Sequence, residues 1–287
     1  MKRFTYTTLI GFFFMMGCYS DEKLNVPVRN NDDVIRNEID EYIDENFTKE
    51  YGMAIRYRFV DQYVNPTQRV APPRLESVLP MLDFIEKFWI EPYVEVDNGE
   101  EFFRGHVPAE IVLLGGLIYN ENGTVTLGTA DAGAQITFTN VNAVDETDKD
   151  WVLLQLQTVY HEFAHTVHQR YKLPTAYETI SPEGYTSSNA WFVLSDAEAL
   201  RRGFVTPYAT SSPNEDFAEM VAVYLFEEDF FDDFIDLEDC DTPDCEERNE
   251  GKLKIQEKLN SIRAHYQKVT GLDLDEIRDR VQNKLNQ

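Results

Sequence analysis

The chain has 287 residues and a formal net charge of −26, with 52 acidic side chains against 26 lysines and arginines. Binding to phosphate backbones needs basic patches, and none stands out, so nucleic acid is excluded as a partner. Acidity of this degree favours solubility at a surface and says little about fold, while the roughly 250 residues beyond the N-terminal segment suffice for a sizeable core.

The N-terminus reads as an address. Met1-Lys2-Arg3 is followed by an apolar run from about Leu9 to Met16 and then by Gly17-Cys18. A basic start, a short apolar stretch and a small residue before the break are the parts of a secretory signal, and the run is too short to span a bilayer. Gly17-Cys18 resembles a bacterial lipobox, although Met15 and Met16 depart from the usual leucine and small residue. The resemblance implies a signal peptide over 1–17 and a lipidated Cys18. Residues 18–33 are polar and acidic, a tether similar to the surface-export signal of Bacteroidetes lipoproteins. The expected location is the outer membrane, held by lipid alone, at the cell surface or on the periplasmic face, where disulfides are permitted.

Residues 34–287 are expected to form the folded domain, with a separate domain before Val107 left open. Ile35, Ile39, Tyr42, Ile43 and Phe47 recur at helical spacing, with Asp32 or Asp33 as cap. Ile55, Tyr57 and Phe59 alternate with Arg56 and Arg58 as in a strand, and Pro66, Pro72 and Pro73 mark a loop. A second amphipathic helix carries Leu79, Leu82, Ile85, Phe88 and Trp89, with Ser77 as cap and Pro80 in its first turn. Ala109–Tyr119 reads as a buried strand broken at Gly115-Gly116, and Asn122-Gly123 signals a hairpin into Thr124–Leu127. Ala134–Thr139 alternates again, either as an edge strand that pairs with an extended peptide or as an ordinary sheet strand.

A long helix then starts after the Asp145–Asp150 cluster and runs to about Tyr171, with Pro174 beyond it. It carries His161-Glu162-Phe163-Ala164-His165, an HExxH pattern. Residues four apart lie one turn apart on the same face, so His161 and His165 can aim two ring nitrogens at one ion, with Glu162 beside them as a base for water. The neighbours Thr158, Val159, Thr166 and Val167 are uncharged, which suits a half-buried metal site.

Next come a polar loop, a helix around Ser195–Arg202 and one capped by Asn214 that carries Phe217, Val221, Tyr224 and Leu225. Glu227–Glu250 holds thirteen carboxylates and one basic residue and reads as a solvated acidic insertion. Its Cys240 and Cys245 have a spacing that allows a disulfide without requiring one. Helices over about Lys252–Thr270 and Asp275–Asn286 close the chain.

Catalytic zinc generally has three protein ligands and an open position. A third histidine in the HExxHxxGxxH pattern is excluded, because His168 and Tyr171 stand at its glycine and last histidine positions; His168 reads as structural. Glu215-Asp216-Phe217-Ala218-Glu219 supplies the other solution, with Glu215 as candidate ligand and Glu219 one turn on as the acid that orients a ligand histidine.

HEFAH followed by EDFAE resembles the gluzincin peptidases of the anthrax lethal factor type, over about Val159–Phe226. That resemblance implies an α+β zincin-like metallopeptidase fold: a small mixed sheet packed on the HExxH helix, then a helical C-terminal half. It implies Zn2+ held by His161, His165 and Glu215, Glu162 as catalytic base, and a transition-state role for Tyr208, seven residues before Glu215. With the lipobox, the chain resembles Bacteroidetes zinc metallohydrolase lipoproteins associated with substrate import. This implies a peptide or protein substrate and a TonB-dependent outer-membrane transport system as partner. The alternative is a non-catalytic surface lipoprotein that binds nutrient or transporter, against which an intact Glu162 argues.

Overall fold

A computed structural model describes residues 36–58, 69–119, 125–126, 128–130, 134–187 and 190–287. Residues 1–35 with Cys18, as well as Phe59, Pro66 and Asn122-Gly123, lie outside these residues. Asn37–Gln287 forms one compact unit.

Helix α1 (Glu38–Ile43) continues through a π-helical turn (Asp44–Thr48) into α2 (Lys49–Tyr51). Its cap is Asn37 rather than Asp32 or Asp33: the Asn37 side chain accepts from the Asp40 amide while Asp40 accepts from the Asn37 amide. Strand β1 (Ala54–Arg56) follows, then α3 (Leu75–Ile85), which passes through a second π-helical turn into α4 (Glu91–Val94). The α3 cap position is Arg74, without a side-chain bond, so Ser77 is buried in the first turn instead of capping it. Helix α5 is Gly99–His106.

The sheet has the order β1-β2-β6-β5, where β2 is Glu110–Leu113, β5 is Gly128–Ala130 and β6 is Gln135–Phe138. β1, β2 and β6 run parallel, with Ile55 opposite Ile111 and Ile111 opposite Ile136; β5 runs antiparallel to β6. Ile111, Leu113, Ile136 and Phe138 face the main core and Val112 the other side, the two-residue alternation of a pleated sheet. Among the described strands the edge on this side is therefore β5; of the two readings of Ala134–Thr139, the ordinary sheet strand holds, since β6 is interior and paired on both flanks. β3 (Ile118–Tyr119) and β4 (Val125–Thr126) form the expected antiparallel hairpin. The break at Gly115 has a steric cause, because a Cβ there would strike the Pro72 carbonyl.

Helix α6 (Lys149–Tyr171) starts at the Asp148 cap, whose carboxylate accepts from the Asp150 and Trp151 amides. One face meets the sheet end, where the Gln155 amide donates to the Thr139 carbonyl at 3.1 Å. Another sinks Phe163 edge-on into Trp89, Tyr93 and Phe102, rings carried by the α3–α5 layer. The third face is left for α8 (Pro213–Phe226), which packs along it.

α7 (Asp196–Arg202) has the expected Ser195 cap, but α8 is capped by Ser212, with Pro213 at its first position, and not by Asn214. The acidic stretch keeps nearly all its carboxylates in solvent, as expected, but it is built from regular structure. It contains α9 (Phe230–Phe234) and the start of α10, which spans Pro243–Thr270 and begins nine residues before Lys252. Lys252, 4 % exposed, ties the two by donating to the Asp232 and Asp236 carbonyls, each at 2.8 Å. Cys240 and Cys245 are joined in a disulfide at the head of α10. A Cβ at Gly251 would collide with the Leu200 carbonyl, so this glycine lets α10 lie close on α7. α11 (Leu274–Leu285) ends the chain against α8.

Candidate metal centre

The α6–α8 seam brings the two motifs together. The Nε2 atoms of His161 and His165 are 3.0 Å apart, and Glu215 Oε2 stands 3.1 Å from the first and 3.3 Å from the second. Tetrahedral zinc with bonds of about 2.0–2.2 Å separates its ligand atoms by roughly 3.3–3.6 Å, so this triangle fits the ion to within a few tenths of an ångström. Among the described residues these three are the one group of histidine and acidic side chains with ligand atoms so convergent. Glu215 Oε2 is buried without a hydrogen-bond partner, an arrangement that is costly unless a cation satisfies it.

Local structure fixes each ligand. Glu215 occupies the first turn of α8, its amide donating to Ser212 Oγ at 3.2 Å, where the helix dipole favours a carboxylate. Burial would raise its carboxyl, but His161 and His165 hold it well below the usual carboxylate range. Burial pushes the His161 imidazole down, while Glu215 and Glu219 more than reverse this and take it up to about 10. A field that holds a proton so firmly also favours a divalent cation.

Glu219, one turn on and 2 % exposed, sets the His161 ring. Its Oε1 lies 2.7 Å from His161 Nδ1, a short contact bent away from ideal hydrogen-bond alignment, and its Oε2 accepts from Thr206 Oγ1 at 2.6 Å. A proton kept on Nδ1 leaves Nε2 free to bind metal. Half-buried Glu162 adjoins this cluster; burial raises its carboxyl, against the pull of the two histidines.

His168 is more than the structural residue its sequence position suggested. Its Nε2 lies 2.6 Å from His165 Nδ1, and burial together with His165 pushes its ring down to about 4. It is therefore neutral near pH 7 and placed to accept a proton held on His165 Nδ1, as Glu219 faces Nδ1 of His161. The signal was the three-residue step from His165, which places both rings on one face. His168→Ala is expected to weaken zinc affinity by about 10–100-fold, read by competition with a chromogenic chelator, with His168→Gln recovering part of it; unchanged affinity in His168→Ala would rule the contact out as an orienting one.

Tyr208 lies in a short 3-10 turn, Tyr208–Ser211, entering α8. Its ring centroid is 5.8 Å from that of His161 and 5.1 Å from that of Trp191. Burial and then Glu215 push its phenol up, so it stays a hydrogen-bond donor at any physiological pH. Sequence reasoning passed over Trp191, whose position in a polar stretch gave no periodic signal.

On the far side of α8, Asp216 and Lys258 of α10 form a fully buried ion pair at 2.8 Å. Lys258 also donates to the Gly203 carbonyl at 2.7 Å, and Asp216 accepts from Tyr185 Oη at 2.8 Å. Neighbouring residues on a helix point about 100° apart, so the pair grips α8 from behind while Glu215 faces α6.

A mostly helical α+β chain with a small, largely parallel sheet and a His161–His165–Glu215 group has the make-up of a zincin-like metal site. The comparison with known proteins agrees: residues 32–275 match the family described as "Putative zinc-binding metallo-peptidase", and the chain belongs to that family. A crystal structure of a Bacteroides caccae protein with the same description is similar, at 28% identity and a TM-score of 0.70, over 86% of this chain and 91% of that one. No curated protein matches.

Proposed function

We propose that this chain is a zinc-dependent peptidase of the cell envelope, with its ion held by His161, His165 and Glu215. The observation that carries the reading is the three-atom triangle at 3.0, 3.1 and 3.3 Å, with Glu162 beside it. When bound, zinc supplies a Lewis acid that makes water a better nucleophile and polarises a carbonyl. Glu162 takes the proton of the attacking water and returns it to the leaving amine, two tasks that suit a carboxyl with a raised pKa. Tyr208 donates a hydrogen bond from its hydroxyl to the carbonyl oxygen as negative charge builds there, keeping its proton. The outer edge of β5, which has no partner strand among the described residues and lies beside α6, is the place for an extended peptide to pair.

Incubation of the purified protein with a mixed peptide library tests this reading. Cleavage that stops with a chelator and returns with zinc is expected; an intact library under zinc-replete conditions contradicts it. Tyr208→Phe removes one oxygen, so zinc binding is retained while kcat falls by about 10²–10³ with KM nearly unchanged. Turnover equal to wild type would remove Tyr208 from the chemistry.

The envelope location rests on the order Met1-Lys2-Arg3, apolar run, Gly17-Cys18, and association with a TonB-dependent transporter rests on the resemblance that this order completes. Lipid on Cys18 by mass spectrometry is expected, and a soluble, unlipidated product in the native host would overturn the anchor.

A further inference from the structure

Beside the metal centre lies a stretch of apolar surface for which the reaction, as derived so far, has no use. Phe192 is 64% exposed and Val193 73%, the two largest values among the exposed large hydrophobic residues described. Single exposed apolar residues need no explanation, but adjacent ones at a functional cleft do. These two are fastened, since the Leu194 amide donates to the Trp191 carbonyl at 3.0 Å in a 3-10 turn and Ser195 then caps α7. Trp191 is the hinge between this surface and the chemistry. It stacks edge-on with Phe192 at 6.0 Å and with Tyr208 at 5.1 Å, and Tyr208 lies 5.8 Å from the His161 ring.

We infer that Trp191, Phe192 and Val193 form one wall of the substrate cleft and take a large apolar side chain, aromatic or long aliphatic, from the peptide near the scissile bond. The inference rests on the peptidase reading and names the substrate class for it. Reach supports the occupant: ring-to-ring steps of 5.8 and 5.1 Å put Trp191 no farther from His161 than about three residues of extended chain, at roughly 3.3–3.6 Å each. Charge supports it too. Trp191, Phe192 and Val193 carry no charge to pair with an ionised substrate side chain, and the exposed surfaces of Phe192 and Val193 offer a neighbouring residue apolar contact. Trp191 has a second duty, since it braces the Tyr208 ring; Phe192 is therefore the cleaner residue to alter.

The test reads binding rather than turnover. Zinc-loaded full-length Glu162→Gln is titrated by calorimetry with hexapeptides in which each position in turn carries Phe, Leu, Ser or Asp. At one position Phe and Leu are expected to bind about 10–100-fold tighter than Ser, the value of burying such a side chain, with Asp weakest. Adding Phe192→Ala is expected to lower that preference about tenfold. Leu253→Ala, at another exposed apolar residue on α10, controls for general loss of surface apolarity and keeps the preference. No apolar preference at any position, or one that survives Phe192→Ala, overturns the inference. Wild-type cleavage of the same peptides separates the two ideas: tight apolar binding without cleavage tells against the peptidase reading alone, and cleavage without preference against this inference alone.

Discussion

Glu162→Gln is expected to keep its zinc and lose about 10²–10⁴ in turnover. The substitution preserves size and shape, and Glu162 is not one of the three convergent ligands, so metal content and fold should be those of the wild type. What is lost is the basic oxygen. A carboxyl raised by burial and adjacent to two ligand histidines is placed to accept a proton from water and later to deliver it. An amide does neither. Steady-state hydrolysis of one fluorogenic peptide, with zinc measured in the same samples, checks this. Full activity with zinc bound would show that another group is the base, and lost zinc would show that Glu162 belongs to the binding set.

The second large effect concerns stability. Lys258→Met is expected to destabilise the protein by about 3–5 kcal/mol, because it leaves Asp216 charged and buried without its cation. Burial pushes Asp216 up and Lys258 down, and each partner's charge opposes the other's shift. Tyr185 donates to the same Asp216 oxygen as Lys258, and the Gly203 carbonyl accepts from Lys258, so the pair works as a unit at the junction of α8 and α10. Replacing both, as Asp216→Leu with Lys258→Met, should recover most of the loss, since removing a whole buried pair is often close to neutral. Denaturant titration of the two variants reads the difference. A single variant within about 1 kcal/mol of wild type, the scale of an exposed pair, would show that the pair is not a structural clamp. Since Asp216 follows Glu215 directly, the same variant should also loosen zinc binding.

Why the site was legible and some of the scaffold was not follows from where the physical signals sit. HEFAH and EDFAE are local patterns, each confined to about one helical turn, and the long apolar faces of α6 and α8 announce burial on their own. The seam between them follows almost directly. The sheet edge depends on β5, whose three residues Gly128–Ala130 carry no alternation to read, so the stronger pattern of Gln135–Phe138 stood out although that strand is interior. The start of α10 was hidden because its first turns are acidic and not amphipathic. A cap signal was nonetheless present: Thr242-Pro243 opens α10 as Ser212-Pro213 opens α8, a side-chain acceptor followed by a residue with no amide proton to satisfy. Helices ending in carbonyls that Lys252 satisfies, or histidine rings met by another histidine, are tertiary facts that no window along the chain contains.

The central claim is that one ion sits between α6 and α8 on His161, His165 and Glu215, and metal analysis of three proteins after equilibrium dialysis against zinc tests it most directly. One zinc per chain is expected in the wild type and none in Glu215→Ala. Glu219→Ala is expected to retain zinc, with affinity lowered about 10–100-fold because only an orienting contact is lost. A wild type that binds no zinc, or a Glu215→Ala variant that binds it as tightly as the wild type, would contradict the assignment.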